Sequence, residues 1–389
     1  MINFCNERFQ FTTKTGTLLG KDRPEFCGAD PGKTKDMATR FAPDRSKIES
    51  IRRSGKPPTL KTISELSGFA VQTVSRALSD APDISQATKE TVRKLADEVG
   101  YIPNRAGVRL RTGKTNVISL VLSTDNDVLS LTSRLISSIA EGLRDGPYHL
   151  VVTSSFPEDD PLKAVKYIVQ NGTADAIILN QIQPEDPRVK YLLDAGFPFV
   201  THGRTVWADM HSYYDYDNEA FGRIAVQKLA QQGRKNILLI APPQDQNYGI
   251  EIVKGVRKAS ASLGLNVEIA QNITSDDHRN KIRSAVTNLA TQDRAIDAII
   301  SASPNATMAA IAGMEDKGAE IGTKFDIFSK ETVPILDLFR PGILKINEDV
   351  NKAGRFLADA ARKAASRQYE ERLFQELDHP SDNLSVRKT

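Results

Sequence analysis

The sequence predicts an α/β core of two doubly wound lobes behind a small all-α helix-turn-helix headpiece. Three observations carry this expectation. Three short helical periods fill residues 59 to 102, short apolar runs alternate with amphipathic stretches from residue 116 onward, and 389 residues exceed one ordinary domain. Hydrophobic residues make up 40% and charged residues 26%, the balance of a chain with a core rather than of a disordered or fibrous one.

Residues 1–56 read as a flexible extension. They show no sustained helical or strand period, are rich in Gly, Pro, Thr and charge, and close with the basic run IESIRRSGKPP. Met37 is an alternative start. The stretch GADPGKT imitates a phosphate loop, but three residues separate Gly28 from Gly32 where the motif needs four, and no apolar strand precedes it. The two cysteines, Cys5 and Cys27, lack metal-ligand spacing, so neither a disulfide nor a metal or other cofactor is expected. The opening MINFCNERFQFTTKTG has no secretory apolar stretch, and no run approaches the roughly 18 to 20 apolar residues of a membrane span. A cytoplasmic location without membrane contact is therefore expected.

Residues 57–103 read as the headpiece. Thr59 or Thr62 caps a first helix, with Glu65 three positions after Thr62 as in a capping box, and Gly68 ends it. A second helix runs from about Val71 to Ser79. A third begins near Ser85, sets Val92, Leu95, Ala96 and Val99 on one face, and stops at Gly100 before Pro103. Ile63, Leu66, Val74, Leu78 and Ile84 supply the facing apolar surface.

The turn Gly68, Phe69, Ala70 between the first two helices suits a second helix lying in a major groove with its early side chains aimed at base edges. Gln72 matches the bidentate edge of adenine, Val71 packs on a thymine methyl, and Arg76 donates to guanine or grips phosphate. Thr59, Thr73 and Ser75 suit phosphate contacts, which hold register without reading sequence. The net charge of +3 does not announce nucleic acid, but its distribution does. Arg105, Arg109, Arg111 and Lys114 follow one another without an acid in residues 104–115, read as a hinge and linker.

Residues 116–389 follow the grammar of βαβ units. VISLVL, YHLVVT, DAIILN, FPFVTH, NILLIA, NVEIA, DAIISA and FDIFS are continuous apolar runs, as buried parallel strands require, with helical stretches between most of them. Eight strands over some 270 residues suit two lobes better than one. The tail LSVRKT is either a last strand or frayed. Open α/β sheets host many enzymes, but five scattered histidines, no G-x-S-x-G elbow and no metal constellation leave no catalytic reading. A secreted solute-binding protein would explain the core alone, not the headpiece.

Residues 57–115 resemble the headpiece and hinge of the LacI/GalR repressor family, through TVSRAL in the second helix, YIPN at 101–104, and Leu110 followed by the Gly113-Lys114 pair. The resemblance implies a hinge helix from Asn104 through Arg105 to Leu110 that folds on cognate DNA. Leu110 would wedge into the minor groove, its alternative being an ordinary linker residue. Gly107 stands where the family carries alanine, which makes this hinge harder to fold by about 1 kcal/mol.

The resemblance also implies a periplasmic-binding-protein-like core, a homodimer on a near-palindromic double-stranded operator, and a sugar or sugar derivative as effector. Its ligand would sit at the carboxyl ends of the strands, near Asp125, Asn126 and Leu129, Asp217, Asn218 and Arg223, Asn247 and Tyr248, and Lys330. Asp217 and Asn218 equally suit capping of the helix that begins near Glu219. Two departures from the family stand out. Its Asn-Asp pair is replaced by Ser303 and Pro304, and its Gly-Phe-Asp by Phe328, Ser329, Lys330 and Glu331. Losing an anion and gaining a cation favours an acidic or phosphorylated ligand, unless Lys330 points to solvent or pairs with Glu331.

Overall fold

The computed structural model describes residues 45–103, 107, 109, 112–123, 129–156, 158–290, 295–340, 342–366 and 372–380. The chain divides into two units, one up to Asn104 and one from Arg105.

The first unit contains four described helices, α1 (Arg45–Arg53), α2 (Leu60–Ser67), α3 (Val71–Leu78) and α4 (Gln86–Val99). Ile63, Val74, Ala77, Val92, Leu95, Ala96 and Val99 form its core, with Leu66, Leu78 and Ile84 packed against them. Gly68 and Gly100 end α2 and α4 at φ of 72° and 70°, left-handed conformations open to glycine. The capping box joins Thr59 to Thr62 rather than Thr62 to Glu65, because α2 begins one residue after Thr59.

The extension is not wholly outside this fold. Helix α1 seats Ile48, only 7% exposed, in the headpiece core. The Arg52 guanidinium donates to the Glu98 carbonyl near the end of α4, where a cation is favoured by the helix dipole. Two apolar residues spaced i, i+3 are too few for a legible period, so only packing reveals this helix.

The second unit holds two parallel sheets. The first lobe contributes β1 (Val117–Ser123), α5 (Leu129–Gly142), β2 (His149–Ser155), α6 (Lys163–Asn171), β3 (Ala176–Leu179), α7 (Pro187–Asp194), β4 (Phe199–His202) and β5 (Ser212–Tyr216). The chain then crosses into α8 (Asn218–Gln231), β6 (Asn236–Ile240), α9 (Asn247–Leu263), β7 (Asn266–Ile269), α10 (Arg279–Ala290), β8 (Ala298–Ser301), α11 (Pro304–Glu315), β9 (Asp326–Glu331), α12 (Leu336–Phe339) and β10 (Leu344–Asn347). It returns through α13 (Val350–Ala365) to β11 (Gln375–Asp378). The sheet orders are β11-β5-β4-β3-β1-β2 and β10-β9-β8-β6-β7.

Each sheet is covered on both faces, which is why its central strands are apolar throughout. Ile118, Leu120 and Ile178 face α5 and α13, while Val121, Ile177 and Leu179 face the side of α6 and α7. The second sheet divides in the same way between its two clusters. Helix α13 crosses α5 so closely that a Cβ on Gly354 would stand 1.7 Å from the Ser138 Oγ, so only glycine fits. Strands β5, β10 and β11 were not legible, because SYYDY, LKIN and QELD are short and carry too many polar residues to read as apolar runs. LSVRKT lies outside the described residues.

Candidate nucleic-acid interface and effector cavity

The headpiece presents its early α3 side chains outward. Val71 is 43% exposed and Gln72 and Arg76 are exposed, whereas Val74 and Ala77 of the same helix are fully buried. Helical spacing therefore puts Gln72 and Arg76, four residues apart, on one free face, with Val71 exposed beside Gln72. Thr73 and Ser75 are half-buried beside them, and Thr59 is exposed at the start of α2. The Ser64 Oγ donates to the Phe69 carbonyl at 2.6 Å and fixes the turn that sets α3. Arg76 pairs with Asp83 at 2.5 Å through one nitrogen and keeps further N–H donors for a DNA contact.

Asn104, Arg105, Leu110 and Arg111 lie outside the described residues. Gly107 is exposed, and a Cβ there would meet nothing within 4 Å. Arg109, the remaining described cation of the basic stretch besides Lys114, donates to the Asn171 carbonyl at 2.8 Å.

Between the two lobes of the second unit lies a cavity of about 130 Å³. Its walls come from the carboxyl ends of strands in both sheets, Asn180 and Gln181 after β3, His202 closing β4, Asp215 and Tyr216 closing β5, Ser275 to Asp277 after β7, Ser303 to Asn305 after β8, and Lys330 in β9. Asn218, Asn247, Tyr248 and Glu348 complete it. Asn218, Asn247, Tyr248 and Lys330 are thus brought together from the sequence expectations. Asp125 and Asn126 lie outside the described residues, as does the Leu129 side chain.

Two expected contacts are elsewhere. Asp217 caps α8 by accepting from the Ala220 amide at 2.9 Å, and its other oxygen takes the His379 Nδ1 at 2.8 Å. Arg223 is exposed and lines a separate surface concavity with Gln227, Gln231 and His379. Five residues along a helix rotate a side chain by about 140°, so Arg223 cannot share the cavity face of Asn218.

Lys330 neither reaches solvent nor pairs with Glu331. Adjacent strand residues point to opposite faces. On one face the Lys330 Nζ meets Glu348 at 2.8 Å and donates to the Asn218 Oδ1 at 3.0 Å, 5.1 Å from the Tyr216 ring centre. On the other, Glu331 meets Lys345 at 2.7 Å. The positive charge of Lys330 is therefore committed to Glu348, which removes the basis for an acidic or phosphorylated ligand.

The carboxylate that Pro304 fails to supply comes from the neighbouring loop, after β7. Asp276 faces the cavity and accepts from the Tyr248 hydroxyl at 2.6 Å and the Ser275 hydroxyl at 2.9 Å. Burial pushes its carboxyl above the usual range, against the effect of those two donors. Ser303 in turn donates to the Ser275 carbonyl at 3.0 Å and so braces that loop. Burial also holds the His202 imidazole below its ordinary range, so it faces the cavity neutral, its Nδ1 3.1 Å from the Asn180 amide oxygen. Four carboxylates and one ammonium line the space, together with the side-chain amides of Asn180, Gln181, Asn218, Asn247 and Asn305.

The lobes grip each other around this cavity. Arg204 bonds Asp215 in its own lobe and Glu251 in the other, each at 2.7 Å, and the Asn247 amide donates to the Ile182 carbonyl at 2.8 Å. Burial, then repulsion from Asp215, pushes Glu251 up to about 7. Sequence reasoning missed Asn180, His202, Asp215, Asp276 and Glu348. The first two carried a signal, a polar residue closing an otherwise apolar strand; the others did not.

A helix-turn-helix with an exposed reading face, carried on the same chain as a two-lobed polar cavity, defines a ligand-sensing DNA-binding transcription regulator. The family model of the periplasmic binding protein domain matches residues 150–364, and that of bacterial regulatory proteins, lacI family, matches residues 59–104. The chain belongs to the lacI family of bacterial regulatory proteins. It is 29% identical over 73% of its length to the HTH-type transcriptional regulator AglR of Rhizobium meliloti (strain 1021), covering 80% of that protein. It is 26% identical to the HTH-type transcriptional regulator CelR of Thermobifida fusca, over 77% of this chain and 90% of that one. Among solved structures, a lac repressor dimer bound to operator and the anti-inducer ONPF aligns with TM-score 0.73 at 20% identity, over 86% of this chain and 99% of that one. A transcriptional regulator CelR–cellobiose complex aligns at 0.62 and 24%, over 85% and 99%. Among the described residues no helix is long and apolar enough to cross a membrane.

Proposed function

We propose that the protein is a homodimeric cytoplasmic repressor whose grip on a near-palindromic operator is set by a neutral sugar held between its lobes. The observation that carries this reading is the donor and acceptor set of the cavity. Asp276 keeps unused lone pairs on both oxygens, and Asn180, Asn218 and Asn247 add amides, a pattern suited to vicinal hydroxyls. An anionic sugar would meet Asp215, Asp276, Asp277 and Glu348 with the one lysine already paired. The cellobiose complex of CelR supports the ligand class, and the operator-bound lac repressor dimer supports the assembly. A single headpiece has too few base contacts for physiological specificity, which favours paired half-sites.

Thermal-shift screening of the full chain against neutral, amino and phosphorylated sugars tests the ligand class. Stabilisation by phosphorylated sugars alone would overturn it. For the DNA side, Gln72→Ala is expected to cost about 1 to 3 kcal/mol on the selected operator and to relax preference at one base pair. Equal loss on operator and random duplex, measured by titration, would refute the assignment of α3 as the reading helix. Arg223→Ala is expected to leave sugar affinity unchanged by calorimetry, since the side chain lies outside the cavity; a tenfold loss would relocate the binding site.

A further inference from the structure

The lacI family model begins at residue 59, yet the headpiece carries a helix before it. We propose that α1 and its linker to α2 form a second phosphate-gripping surface, occupied by the DNA backbone beside the segment that Thr59 and the start of α2 approach.

Charge is the first argument. Residues 45–56 hold Arg45, Lys47, Arg52, Arg53 and Lys56 against the single acid Glu49, so this short stretch carries more positive charge than the net +3 of the whole chain. All five cations are exposed. Of the five cations in the rest of the headpiece, three are neutralised in place, Lys89 and Arg93 by Asp80, and Arg76 by Asp83. Among the described residues Arg45, Lys47 and Lys56 have no such acid, and Arg53 has only the exposed Glu49 at 3.6 Å.

Helix energetics do not account for this pattern. Arg52 and Arg53 complement the carboxyl end of α1, but Arg45 and Lys47 sit in its first turn, where cations oppose the dipole and which itself holds no acid. An external anion does relieve them. Solvent alone would leave the arrangement mildly unfavourable.

Placement is the independent argument. Ile48 in the core and Arg52 on the Glu98 carbonyl fix α1 to α4. The linker is itself tied, with the Ser54 Oγ donating to the Ile51 carbonyl at 2.7 Å and accepting from the Lys56 amide at 3.3 Å, before Pro57 and Pro58 restrict the backbone. Lys56 is three residues from Thr59, within about 11 Å of fully extended chain. In helix-turn-helix docking the first helix of the motif, here α2, crosses the phosphate backbone, so Lys56 and Arg53 are held next to that backbone instead of being tethered loosely.

The test uses the full chain with Arg53→Gln and Lys56→Gln combined, titrated on a random-sequence duplex and on a duplex recovered by in vitro selection. Losing two phosphate contacts makes the slope of log affinity against log salt shallower by about 1.8, so the variant's deficit shrinks about tenfold between 50 and 200 mM salt. The change is expected to be equal on both duplexes, with an unaltered melting temperature. Parallel salt slopes would overturn the proposal, and so would a change confined to the selected duplex, which would signal base reading. If the double variant melts early, Lys56→Glu, outside the helix, gives the same readout: a slope shallower by about 1 or more supports the proposal and an unchanged slope overturns it.

Discussion

Asp276→Asn is expected to abolish the sugar response while leaving sugar-free operator binding intact. The substitution keeps the side-chain volume and an acceptor for the Tyr248 hydroxyl, so the loop should hold its place. What disappears is the charge on the two oxygens that face the cavity. Hydrogen bonds to charged groups are worth about 1.5 to 3 kcal/mol, so loss of one weakens sugar binding by roughly 10- to 150-fold. A pH profile adds a second readout. The carboxyl is raised above its usual range, so sugar affinity that depends on the carboxylate is complete above that raised value and is lost as pH falls through it, earlier than for an ordinary aspartate. The asparagine variant should show no such fall. Calorimetry that found full affinity, or the same acid profile, in Asp276→Asn would remove Asp276 from the site.

Lys330→Met is expected to produce the largest loss of stability. Lys330 and Glu348 have side chains 9% and 8% exposed and are 2.8 Å apart, and the lysine also satisfies Asn218. Breaking a buried pair from one side strands the other charge and costs about 3 to 5 kcal/mol, which lowers the melting temperature of the lobed unit by roughly 5 to 15 °C. Removing both partners costs less, because no charge remains to be desolvated. Lys330→Met with Glu348→Leu should therefore recover most of the loss in a thermal melt. A double variant no more stable than the single one would show that the pair is not the source of the effect.

Legibility in the sequence followed the physics of each element. The three headpiece helices were readable because capping residues and left-handed glycines mark their ends locally, at Thr59, Gly68, Ser85 and Gly100. The central strands were readable because two-sided burial forces unbroken apolar runs. Helix α1 was not, since Ile48 gains its meaning only from the distant α4 it packs on. The cavity was half readable. Asn218, Tyr248 and Lys330 follow from strand ends, but rotation around α8 decided that Asn218 faces the cavity and Arg223 does not, and Asp217 spends its carboxylate on the Ala220 amide and His379. Asp276 was hidden for another reason. The loop after β7 takes over the carboxylate that Pro304 lacks, and that substitution of one loop for its neighbour is visible only when both are in place, braced by Ser303 on the Ser275 carbonyl.

Among the described residues the chain crosses between the lobes at Asn218 and at Glu348, and the single ammonium of Lys330 laces these crossings together. Two connectors joined in this way behave as an axle. Sliding and twisting of one lobe against the other would tear the lacing, while bending about the line through it would not. Bending about that line spares the lacing but parts Arg204 from Glu251 and Asn247 from Ile182, and the line passes along the wall of the cavity rather than behind it. A push at Asn218 therefore acts at the fulcrum, where a small displacement is multiplied by the full length of each lobe.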